Sequence, residues 1–177
     1  MSEALQALER RPDGHLPLPV RRRLRAALPG HAERYALARA AAVSVLKRWH
    51  AERPSDPRPD ELVALADRVF AGDADGEAAT IEAGHFADDA YELLDAEISE
   101  NALNAGLAAA RLVLAARWDD DAARLDEESD DEDGDAFEWE TAFYASMVAA
   151  PSLPSMGVAE HAEPRRRFWR WYLEQAR

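Results

Sequence analysis

An all-α fold follows from three features of this chain. Ala is abundant, while Gly and Pro number only 8 and 10 in 177 residues. Apolar side chains recur at helical spacing along most of the length. No alternating stretch is long enough to read as a useful strand. The links between helical stretches are short. The expectation is therefore one domain over residues 1–177, an irregular bundle of about seven to eight helices.

The elements follow in order. Within residues 1–30 the pattern gives two short helices. Ser2 would cap the first, which places Leu5 and Leu8 on one face. Pro12, Gly14, Pro17 and Pro19 break the pattern, and a second helix runs from Val20 to Leu28, ending at Pro29-Gly30. A long helix is expected from His31 to Arg53, with Tyr35, Ala38, Ala42, Val45, Leu46 and Trp49 as its apolar stripe. Pro59 then opens a helix with Asp60 and Glu61 at its positive end, Leu62, Leu65, Ala66, Val69 and Phe70 inside, and Gly72 as its stop. Asp73 to Gly84 is ambiguous. Asp88 to Ile98 reads as a separate helix with Tyr91, Leu94 and Ile98 on one side.

Asn101 to Trp118 is the most apolar helix. It has only a thin polar stripe of Asn101, Asn104 and Arg111, and such a helix belongs at the centre of a core. Its small residues, Ala105, Gly106 and Ala108 to Ala110, would let neighbours approach closely. Residues 119–135 hold 11 acids and one Arg, a block that repels itself and is expected to be a flexible loop. Phe137 to Val148 and a final stretch begun by Pro164 complete the helices.

The net charge of −14 is unevenly placed: +6 over residues 1–58, −23 over 59–160 and +3 over 161–177. An acidic surface repels nucleic acid and draws basic partners, so no nucleic acid is expected as a partner. No apolar run approaches the ~18 residues of a membrane span, and the polar start carries no signal-peptide core. A chain without Cys has no disulfide and no thiolate chemistry. Together these predict a cytoplasmic protein that does not engage a membrane.

Catalytic and cofactor patterns are missing. The five His, at 15, 31, 50, 85 and 161, include no pair four residues apart, and each reads as a surface residue. There is no phosphate-binding Gly-rich loop and no nucleophile elbow. Carboxylates are so common that no pair of them stands out as an acid–base couple. Ser129, Asp131, Asp133, Gly134, Asp135, Phe137 and Glu140 fall at the positions of a calcium loop, but Ser stands first and Ala136 occupies the apolar position. The expectation is no catalytic residue, no metal ligand and no cofactor. The basic, aromatic end, with Arg165 to Arg167 and Arg170, reads as a core helix whose Arg residues pair with carboxylates.

The last third carries a resemblance. Trp139-Glu140, then Phe143-Tyr144-Ala145-Ser146, and later Arg166-Arg167-Phe168-Trp169-x-Trp171-Tyr172-Leu173 resemble the C-terminal signature of immunity protein family five of bacterial polymorphic toxin systems. Ala38, Ala42, Val45, Leu46 and Trp49, then Pro59, Leu62, Ala66 and Gly72, resemble its opening, so the likeness spans roughly residues 35–175. Where the family pattern has Asp after the first Trp, this chain has Glu140. Where it tends to a Gly pair, this chain has Ala149 and Ala150. The resemblance implies an all-helical protein that binds and neutralises a cognate toxin.

From residue types alone, Trp139, Phe143, Trp169 and Tyr172 are expected to dock the last two helices together, and Glu140 is expected to pair with Arg166 or Arg167. Asp119, Asp120, Asp121, Asp130, Asp131 and Asp133 are the candidate partner-binding residues, for a basic toxin such as a nuclease. Two readings compete with toxin binding. One is a general helical adaptor or regulator, and the other is a carboxylate- or metal-dependent enzyme built on acids such as Glu97 or Glu100.

Overall fold

The computed structural model describes residues 2–94, 97–119 and 140–177. Its elements are α1 (Ser2–Arg10), α2 (Leu18–Ala26), α3 (His31–Val45), α4 (Lys47–Glu52), α5 (Arg58–Ala71), α6 (Gly76–Glu92), α7 (Glu100–Arg117), α8 (Thr141–Ala149) and α9 (Ala159–Gln175), with a 3-10 turn at Pro154–Met156. No strand occurs among the described residues, and the protein is all-α.

Helix α7 is the axis of the core. It packs against α3, α4, α5, α6 and α8, and twelve of its residues are buried, from Ala102 to Ala116. Such crowding requires small side chains. A Cβ on Gly106 would sit 3.0 Å from both the Phe86 and Trp49 rings, so glycine there lets two aromatics lie against the α7 backbone. Ser99 caps the helix by accepting from the Ala102 amide, and Glu52 at the end of α4 accepts in turn from the Ser99 amide and hydroxyl.

Several boundaries differ from the sequence expectation, each for a local reason. The stretch His31 to Arg53 divides at Leu46 into α3 and α4. The Ser44 hydroxyl donates to the Ala41 carbonyl at 2.8 Å, a back-bond of the kind that bends helices. Residues 76–92 form one helix rather than an ambiguous stretch and a separate Asp88–Ile98 helix. Asp75 caps it, accepting from the Glu77 and Ala78 amides. Leu93 and Leu94 then turn the chain, and Ile98 is buried after it. Glu140 has extended dihedrals, so α8 starts at Thr141 and not at Phe137. Helix α9 begins at Ala159, and Pro164 lies inside it. The proline sits in the second turn of the helix, and the added first turn buries Ala162. Leu62, Leu65 and Ala66 of α5 are buried as expected, but Phe70, in the last turn of the helix, is exposed on one side while its ring stacks on Tyr35. The expected flexible loop at 119–135 lies outside the described residues beyond Asp119.

Leu107 and Val113 face the core of α7. Replacing either with Asp is expected to unfold the protein, since a buried carboxylate would have no partner. Loss of the far-UV helical signal at 25 °C is the readout.

Candidate partner-binding site and its arginine anchors

Helix α2 has no acid in its sequence and four arginines among residues 21–25. Two of them turn inward. Arg21 is fully buried and Arg25 nearly so. The Arg21 guanidinium lies over the Trp169 ring at 5.1 Å and the Phe143 ring at 5.6 Å. It donates to the Leu16 carbonyl at 2.7 Å and to the Glu140 carboxylate. The other oxygen of Glu140 accepts from Arg25 at 3.1 Å. Glu140 therefore pairs with Arg21 and Arg25, not with Arg166 or Arg167 as the sequence suggested.

Those two basic residues of α9 have other surroundings. Arg166 pairs with Glu163 at 2.9 Å and donates to the Arg11 carbonyl, while Arg167 is exposed. Their nearness in the signature reflects helix phase: α9 turns Arg165, Phe168, Trp169 and Tyr172 inward. Trp171 is half-buried against Phe168. Tyr144 is buried on α8. The α8–α9 contact is thus completed by an arginine from α2, and no signal within either helix pointed to it. The signal lay in the run Arg21 to Arg25, on a short helix without acids of its own.

His15 is also buried, contrary to the surface reading. Its ring meets Phe143 and Trp169 edge-on, each at 5.6 Å, and its Nε2 lies 3.3 Å from Arg21. Arg21 can only donate, so in that contact Nε2 accepts. The loop carrying His15 is pinned on α9. Arg165 donates to the Asp13 carbonyl at 3.0 Å and to the Ser152 carbonyl. Gly14 has φ +69°, and a Cβ there would fall 2.0 Å from the Ala162 carbonyl oxygen, so only glycine fits.

The candidate acidic residues begin at Asp119. Its carboxylate forms a two-pronged pair with Arg34 of α3, at 2.7 and 2.6 Å. That hydrogen bonding holds its pKa below the usual value. Asp120, Asp121, Asp130, Asp131, Asp133 and Trp139 lie outside the described residues. What is defined is how the segment is held on either side: Asp119 by Arg34 of α3, and Glu140 by Arg21 and Arg25 of α2. Both attachments come from the basic first part of the chain. Among the described residues no group of three His, Asp or Glu side chains is arranged to hold a metal ion. None of the described helices is long and apolar enough to cross a membrane.

The fold and this arrangement define an all-α protein in which signature residues of the last two helices clasp a buried arginine. The chain matches the family described as Immunity protein Imm5 over residues 1–176, and it belongs to that family. The match includes the N-terminal helices that supply Arg21 and Arg25. A search among curated proteins finds no match.

Two outcomes follow. Glu140→Gln is expected to destabilise the fold by about 3–5 kcal/mol, read from the urea midpoint, because two buried guanidinium groups lose their shared counter-charge. Acid should weaken the fold for a separate reason. Arg39 and Tyr35 bond to Asp67, Arg58 to Asp56 and Arg34 to Asp119, and each carboxyl sits below its ordinary value of 3.8. A depressed folded-state pKa contributes stability that is complete above the unfolded value and lost as pH falls through the folded one. The melting temperature should fall between about pH 5 and about pH 2. Asp67→Asn should flatten that dependence.

Proposed function

We propose that this chain protects its cell by binding a cognate toxin in the cytoplasm and neutralising it, acting as a stoichiometric inhibitor and not as a catalyst. The observation that carries this reading is membership of the Imm5 immunity protein family over residues 1–176. The toxin is a basic protein, such as a nuclease, and Asp119 to Asp133 steer it inward. Support comes from charge: residues 119–135 carry 11 acids and one Arg, a field that raises the encounter rate of a cationic partner. On either side of that stretch, Asp119 is bonded to Arg34 and Glu140 to Arg25.

The test begins with the toxin gene beside this one. Co-expression of this chain should rescue growth from that toxin, and the two purified proteins should form a complex. Replacing Asp120, Asp121, Asp130, Asp131 and Asp133 with Asn spares the Asp119–Arg34 pair. It should slow association by about tenfold or more at low salt and flatten its salt dependence, with a smaller effect on dissociation. An unchanged association rate would show that these acids do not steer.

A further inference from the structure

Among the described residues, the exposed large apolar side chains are Val43, Phe70, Ile81, Trp118 and Met156. Phe70 and Trp118 belong to one end of the bundle. Phe70 stacks on Tyr35 with ring centres 4.4 Å apart and meets the His31 ring at 5.1 Å. The His31 Nε2 lies 2.8 Å from the Ala115 carbonyl oxygen, within one turn of Trp118. Arg117 lies over the Trp118 ring at 4.5 Å and reaches the Thr80 hydroxyl at 3.3 Å. Asp119 is held by Arg34, one turn along α3 from His31. Phe70 and Trp118 thus sit where α3 and α6 begin and where α5 and α7 end.

Both aromatics keep much of their surface in water, 37% for Phe70 and 44% for Trp118. Beside them, the link from α5 into α6 presents Asp73, Asp75 and Glu77, all exposed. None of the three forms an ion pair with a described residue. The Asp75 carboxylate accepts backbone hydrogen bonds from α6. Large aromatic area beside uncompensated carboxylates suits a cationic side chain, whose aliphatic stem covers a ring while its head meets the acid. Arg117 makes that contact with Trp118 within the chain. Trp and Arg are also the residue types that most often dominate protein interfaces.

We propose that this end of the bundle, Trp118 and Phe70 beside Asp73, Asp75 and Glu77, is the surface on which the toxin docks a segment rich in Lys or Arg. The proposal rests on the toxin-binding reading and deepens it by naming the face and the chemistry of the partner segment. Val43 and Met156 stand elsewhere. Val43 is twelve residues, about 18 Å, along α3 from His31, and Met156 is in the loop before α9.

The probe is the purified toxin encoded beside this gene, with binding followed by calorimetry and by acrylamide quenching of tryptophan fluorescence. Trp118→Ala should raise Kd by about tenfold or more. The double variant Asp73→Asn with Glu77→Gln, which leaves the core untouched, should weaken binding several-fold and reduce its salt dependence. Met156→Ala and Val43→Ala should bind as the unsubstituted chain does. Toxin should reduce acrylamide quenching in the unsubstituted chain by covering Trp118, and Trp118→Ala should shrink that reduction. If the unsubstituted chain does not bind the toxin, the toxin-neutralising reading falls and this surface falls with it. If it binds, and both Trp118→Ala and the double acid variant bind equally well, the surface alone is overturned.

Discussion

A guanidinium withdrawn completely from water sets the terms for much of this structure. Moving an isolated charge of that size into a protein interior costs several kcal/mol even after relaxation. Arg21 survives there because every neighbouring element contributes something. The loop before α2 offers the Leu16 carbonyl, the start of α8 offers the Glu140 carboxylate, and Phe143 and Trp169 offer ring faces from α8 and α9. None of these groups would be well placed without the others. The arginine therefore fixes the relative positions of α2, α8 and α9 more exactly than apolar contact would, since apolar contact is tolerant of small shifts.

The parts of the fold legible in the sequence were those governed by local periodicity. The apolar stripe running through α3 and α4 and the crowded faces of α7 lie where the spacing of Tyr35 to Trp49 and of Leu103 to Val113 placed them. The errors came from interactions that periodicity does not encode. Ser44 competes for a carbonyl and divides a helix, and Asp75 caps a helix that Gly84 had obscured. Pro164 reads as a beginning by its type, yet the helix starts five residues earlier and buries Ala162 ahead of it. The site was the least legible. Glu140 was recognisable as a paired carboxylate, but its partners lie 119 and 115 residues away in the chain, and residues in the nearby signature offered a closer, wrong choice.

The uneven charge along the chain acquires a structural meaning from the same contacts. The basic first part is not a separate surface facing away from the acidic middle. Arg21, Arg25, Arg34, Arg39 and Arg53 meet Glu140, Asp119, Asp67 and Glu97 across element boundaries. Most of the pairs nearer the surface are worth little in stability. They draw positive charge of the early helices onto Glu140, Asp119, Asp67 and Glu97.

The clasp between the two ends of the chain bears on how the protein comes into being. Arg165 holds the Asp13 carbonyl, Arg166 the Arg11 carbonyl and Arg170 the Glu9 carboxylate, across separations of 152, 155 and 161 residues. A ribosome delivers α1 and α2 before α3 to α8, and their docking surface on α9 emerges only after those. Until then α2, with four arginines and no acid, is a short, strongly cationic segment with little of its own to bury, and closing so long a loop carries an entropic cost that only the finished contact repays. The middle of the chain, where α5, α6 and α7 follow one another directly, can condense during synthesis. The end-to-end closure cannot, and a cell making this protein gains its completed surface only after translation of α9.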